Sequence, residues 1–428
     1  MTRLKLFFII LFIFNLIPFS YSQQKSKKEE YFDDGVYFYA REDYKEAAYQ
    51  FSQLLKYDST NANYNYKLGM CYLNIPGEET KAIPYLEKAV KNIHFKYKKK
   101  SFTEKKAPLH ALFYLGNAYR INNELGKALE MYKKFTSSPD FYGNYNISMV
   151  NTEIEACERA KIIKDKPVDV KFVNPGTPVN TSSSEIKAVR SFDGQTLVFV
   201  RSLKFYDALF YCKWENDNWS EPENITPLVG SDGEAYPTSL SSDGTTLYLV
   251  SNKSGNKDIY TSQLENGKWQ KMQPLNEEIN TRQEETHASI SSDGNRLYFA
   301  SDRHKGEGNL DIWVSEKLPT GDWGEPENLG ETINTDLDED TPFISPDGNT
   351  LYFCSKGHYN MGGFDIFYST HDKNGKWTEP VNIGYPVNTT NDNVFYQPTG
   401  KGPSGITYRI RKDGYGDEDI WMIEFPSK

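Results

Sequence analysis

The sequence predicts two folded parts behind an export signal: an α-helical repeat array, then an all-β part forming a five-bladed β-propeller closed by an N-terminal strand. Three observations lead there. Glycines recur at a helical-repeat period in the first half, with small and aromatic residues at fixed distances behind them. Asp-Gly pairs flanked by alternating strands recur about every 50 residues in the second half. A nine-residue segment near the start of that half reappears near its end.

A length of 428 residues suits two or three domains. The 30 Tyr, 25 Phe and 7 Trp exclude a disordered chain, which is poor in aromatics. Residues 1–22 read as a signal peptide. Arg3 and Lys5 precede a short apolar run, and Ser20 and Ser22 are the small residues before a cut at Gln23. The run is too short for a membrane span, which needs about 20 apolar residues. Without Arg3 and Lys5, 47 basic residues stand against 59 acidic ones, a net charge of −12. That argues against a nucleic-acid partner. Lys91, Lys96, Lys98, Lys99, Lys100, Lys105 and Lys106 form one basic stretch, read as a solvated loop or as a dock for an acidic partner. Cys71, Cys157, Cys212 and Cys354 fall in four separate units without CxxC spacing and read as buried small hydrophobes.

Residues 23–166 carry the helical repeats. Gly35 and Gly69 are 34 residues apart. Ala47 and Phe51 follow Gly35, Ala82 and Leu86 follow Gly69, and Ala128 and Tyr132 follow Gly116. This pattern resembles the tetratricopeptide repeat, which implies paired antiparallel helices with small residues at their close approach. Three repeats are expected, the second extended by the lysine-rich stretch. Ile147, Val150, Ile154, Cys157 and Ala160 then mark a capping helix. Such arrays present a concave groove, and Tyr64 and Tyr66 are candidates to line it.

Residues 167–428 carry the blades. Asp193-Gly194, Asp243-Gly244, Asp293-Gly294 and Asp347-Gly348 are spaced by 50, 50 and 54. A second marker, Asp before an apolar strand, stands at Asp207, Asp258, Asp311, Asp365 and Asp419. Trp with Pro close behind, as at Trp323 and Pro326, marks outer strands. Each period therefore holds about four strands, the content of a propeller blade. Val173 to Thr181 matches Val381 to Thr389 at seven of nine positions. The early segment is thus expected to supply the outer strand of blade five, removing exposed edges.

The run Ser291 to Arg303, leading to Asp311-Ile312-Trp313, resembles the WD-repeat-like blades of TolB-type periplasmic propellers. Helical repeats joined to such a propeller resemble envelope proteins of the Bacteroidetes group. In that family an OmpA-like peptidoglycan-binding domain often follows, and some members serve secretion or gliding machinery. The chain stops at Lys428 without that domain, which puts direct wall anchoring in doubt.

No His-Glu-x-x-His, Gly-x-Ser-x-Gly or phosphate-binding loop occurs, so the expectation is a protein without enzymatic activity, cofactor or metal. The expected partner contacts are Arg303, His304, Lys305, Lys356, His358 and Tyr359, in loops at one end of the ring. The functional expectation is a periplasmic scaffold or adaptor that binds envelope proteins through helical groove and propeller face, touching the membrane only by association. The alternative is a binder of glycan or peptidoglycan fragments.

Overall fold

The computed structural model describes residues 25–400 and 404–426; the expected signal segment 1–22 lies outside them. Helices α1 (Lys27–Ala40), α2 (Tyr44–Leu55), α3 (Ala62–Leu73), α4 (Ile83–Ala89), α5 (Ala111–Ile121) and α6 (Leu125–Thr136) form three antiparallel hairpins, and α7 (Ile147–Lys164) follows. Side chains start several of them. Ser26, Asp43 and Asn61 accept the backbone N–H of Glu29, Glu46 and Tyr64. Each repeat glycine faces a large side chain of its partner helix. A Cβ on Gly35 would stand 2.7 Å from Phe51, one on Gly69 2.7 Å from Leu86, and one on Gly116 within contact of Tyr132. The spacing read from the sequence is therefore a packing rule, with Phe51 and Tyr132 filling the space a side chain would need.

The lysine-rich stretch folds back onto α3. Glu104 accepts the backbone N–H groups of Lys98, Lys105 and Lys106, while Tyr97 donates to Asn63 at 2.6 Å. The lysines are left on the outside of an ordered excursion.

The second half forms five antiparallel sheets. Their inner strands are Glu185–Arg190, Tyr236–Leu240, Glu285–Ile290, Glu339–Ile344 and the short Gln397–Pro398. Blade five takes its outer strand from Lys171–Val173, with Val173 opposite Met422 and Phe172 opposite Ile423. The ring closes as the duplicated segment indicates.

Three small polar devices repeat around it. Ser191, Ser241, Ser291 and Ser345 donate to the turn aspartates Asp193, Asp243, Asp293 and Asp347. Asn180, Asn280, Asn334 and Asn388 bind both backbone groups of an isoleucine in a third strand, as Asn334 does with Ile312 at 2.8 and 3.0 Å. Asp311 and Asp419 accept from backbone N–H groups of the loops just before them. Each device satisfies backbone groups that burial would otherwise orphan.

The helices are fastened to one face of the ring. Arg120 of α5, 6% exposed, forms an ion pair with Glu153 of α7 at 2.8 Å and donates to the carbonyl of Thr390. Met361, from a blade-four loop, is fully buried in the core built by α4 to α7. Arg159 adds a hydrogen bond to Asn360 at 3.3 Å and lies over the ring of Tyr359. Asn391 reaches Glu79 at 3.4 Å.

Candidate functional site

The face under the helices is built from two sets of loops, those leading into each inner strand and those joining second to third strands. Inner strands line the central channel. Bulges on two of them place Lys187 and Thr341 at positive φ, 52° and 49°. That is rare for lysine and strained for a β-branched threonine, and strain of this kind collects at functional sites.

Around these bulges lies a polar cluster. The Lys187 ammonium sits 3.4 Å from the centre of the Tyr236 ring. The Tyr236 hydroxyl donates to the Thr286 carbonyl at 2.7 Å, and the Thr286 hydroxyl donates to Asp340 at 2.7 Å. The Cys354 thiol donates to the Asp340 carbonyl at 3.3 Å. Burial pulls Lys187 down to about 8, opposed by the negative charge of Asp340, and burial raises Asp340 above the usual carboxylate range. His287 packs between Phe343 and Phe395, at centroid distances of 4.7 and 6.1 Å. Burial and the nearby Lys187 push it down to about 3, so it is neutral. Lys187 and Asp340 thus place one basic and one acidic group at strained positions of the channel mouth, where a polar ligand could meet both.

Beside this mouth, a cleft of about 780 Å³ opens between the two parts of the chain. Leu73, Pro76 and Glu79 form its helical wall, and Phe395, Tyr408, Arg409, Arg411 and Glu418 its propeller wall. Phe395 also belongs to the channel wall. Burial, with Glu79 and Asp417 nearby, raises the Glu418 carboxyl.

The expected contact residues separate into three groups. Arg303 is an internal clamp, holding the carbonyls of Glu278 and Ile279 and pairing with Glu285 at 3.3 Å. His358 is likewise engaged, its Nε2 2.8 Å from the Ile333 carbonyl, and Tyr64 is 5% exposed with its hydroxyl on Phe102. These three residues have polar atoms already paired inside the chain. Lys356 pairs with Asp338 at 2.7 Å, Tyr359 meets Arg159 of the helices, and Tyr66 shares a hydrogen bond with His110. His304 and Lys305 stay exposed on the open side of the face.

One feature escaped the sequence reading. The blade-one loop carries Leu203, Phe205 and Tyr206, exposed by 36%, 86% and 43%. The signal was present, since the equivalent loop of blade two is Asn252-Lys253-Ser254-Gly255-Asn256-Lys257 and wholly polar. Tyr206 is anchored by Asn224, whose amide donates to its hydroxyl at 3.3 Å, and Phe205 is left standing into solvent.

No family model matches the chain, and no curated protein matches it. Solved structures do. A TolB from Agrobacterium tumefaciens is 17% identical, over 56% of this chain and 73% of that one, with a TM-score of 0.35. The α-L-arabinofuranosidase PaAbf62A from Podospora anserina is 11% identical, over 60% and 94%, with a TM-score of 0.35. A puromycin-hydrolysing peptidase from Mycobacterium tuberculosis is 16% identical, over 53% of this chain and 34% of its own, with a TM-score of 0.31. The expectation that the chain lacks enzymatic activity is corrected here: its structural neighbours include a glycoside hydrolase and a peptidase beside TolB, so missing motifs do not establish a non-enzyme. Among the described residues no helix is long and apolar enough to cross a membrane.

Proposed function

We propose that the protein is an exported scaffold of the bacterial envelope, with helical hairpins of tetratricopeptide type and a TolB-like propeller of the Bacteroidetes kind. It works in the periplasm and holds an envelope protein against the open part of the propeller face. The observation that supports this is the division of that face. Helices seal blades four and five through Arg120 and Met361, while the neighbouring loop offers Phe205 to solvent. A rigid joint with an apolar tip beside it suits a platform that orients a partner. Trp269 and Trp323 give the glycan alternative no platform, because they are 3% and 5% exposed inside the blades.

The test is crosslinking in intact native cells, with a photoreactive residue at Phe205 and another at exposed Tyr49 of α2, followed by mass spectrometry. Reproducible envelope-protein adducts from both positions support the scaffold. Co-purified wall glycan without protein adducts removes it.

A further inference from the structure

Three of the five blades carry a buried glutamate at the start of the inner strand, where blade two has Ala235. Glu185, Glu285 and Glu339 each accept the backbone N–H and the hydroxyl of a threonine four residues earlier. In blade one Arg201 completes the arrangement. Its Nε donates to Glu185 at 2.7 Å, and its terminal nitrogen holds the carbonyls of Pro178 and Val179 at 3.1 and 2.9 Å.

Blade five repeats the arginine without the acid. Arg409 occupies the place of Arg201 and holds the carbonyls of Pro386 and Val387 at 3.1 and 2.8 Å. The acidic position is Asn393, one methylene shorter and uncharged, whose amide oxygen is taken by the Thr389 N–H at 2.7 Å. The Arg409 Nε is therefore buried without a hydrogen-bond partner, and no carboxylate pairs with Arg409 among the described residues. Arg411, beside it, has Asp413 at 3.0 Å. Burial and the charge of Arg411 lower Arg409 to about 10. The Arg409 guanidinium also lies over the Phe172 ring at 4.6 Å, but a buried cation without a counter-charge, in a fold that gives its equivalent one, is costly unless something else supplies the anion. Arg409 lines the interdomain cleft, so that anion can come from outside.

The rest of the cleft narrows the choice. Glu79, Asp392 and Glu418 also line it, which disfavours a phosphate or any polyanion. Asn391, Thr389 and Thr407 offer polar groups, and Leu73, Phe395 and Ile410 offer apolar walls. We infer that the cleft between helices and propeller seats the carboxylate of a peptide, received by Arg409 where blade one has Glu185, with the acidic wall facing the peptide's amino end. This inference is independent of the scaffold reading, because it concerns a small ligand between the two parts and makes no use of the Phe205 rim.

The test uses the whole chain and the probe tri-alanine, as the free acid and as its C-terminal amide, followed by calorimetry and thermal melting. The free acid should bind and raise Tm, and the amide should bind about tenfold or more weakly, the loss expected for one charge-assisted hydrogen bond. Asn393→Glu restores the internal acid of blade one. It should raise the Tm of the free protein and abolish the response to tri-alanine. Arg409→Gln should lose the response as well; should it fold poorly, Asn393→Glu still decides. Equal binding of acid and amide, an undiminished response in Asn393→Glu, or no binding of either peptide overturns the assignment.

Discussion

The propeller face that carries the channel mouth is two surfaces in one. Over blades four and five the loops are structural: Met361 is buried among helices, Thr390 accepts from a buried arginine, and Tyr359 lies under Arg159. Over blades one and three the equivalent loops present Phe205, His304 and Lys305 to solvent. Both halves hang from the same kind of blade, so the difference comes from what the loops meet. A loop that packs against a helix needs small backbone and paired polar atoms. Gly362 illustrates this, because a Cβ there would collide with the Arg120 guanidinium. A free loop keeps the liberty to vary, and that is where a partner can be read.

Breaking the covered half should have the largest effect. Arg120→Ala leaves the part-buried Glu153 uncompensated and frees the Thr390 carbonyl, which should cost about 3 kcal/mol. Calorimetry should show the single transition splitting as helices and propeller separate, and a small uniform fall in Tm would argue that the joint does not depend on this residue.

A smaller effect lies in the channel that the halves share. His287 is neutral when folded, with a pKa near 3, while the unfolded chain binds its proton below about 6.5. Between those values the unfolded state holds more protons, so this group makes stability fall as pH falls. At pH 4.5 the loss is about 2–3 kcal/mol. His287→Phe, whose ring suits the contacts with Phe343 and Phe395, should remove that loss and leave stability at pH 7.5 little changed. Urea midpoints at both pH values check it. An acid slope identical to that of the parent would show that other groups carry it.

The smallest stability effect belongs to the open half. Phe205→Ser should alter stability by no more than about 0.5 kcal/mol, since the ring touches little. With the photoreactive residue moved to the neighbouring Leu203, it should nonetheless remove the envelope-protein adducts from the propeller in crosslinked cells. Retained adducts would move the contact elsewhere on the face.

Much of the fold was legible because its rules are local. Gly116 and Tyr132 are 16 residues apart and meet inside one hairpin. Asp293-Gly294 turns its own hairpin, and the match of Val173 to Thr181 with Val381 to Thr389 reports a shared strand position. The docking of helices onto blades was not legible, because Arg120 and Thr390 are 270 residues apart and neither occupies one of the recurring positions that mark the repeats. For the same reason Arg303 and His358 resembled surface loop residues, although each reaches back to carbonyls more than 20 residues earlier. The unpaired Arg409 becomes visible only when blade five is laid on blade one, where Glu185 faces Asn393.

The strand Lys171–Val173 also has a mechanical meaning. Helix α7 ends at Lys164, and the chain reaches this strand after one further attachment, the Val168 N–H on the Tyr385 carbonyl at 2.7 Å. Once the contacts of Arg120, Met361 and Arg159 have given way, a pull that lifts the helices from the propeller is delivered to Val168 and then to the seam of the ring. Tension should unzip the strand from Asp419–Glu424 before it unravels any blade held by its own hairpins. The ring therefore has one seam that no hairpin closes, and a load carried past the joint would open the circle there.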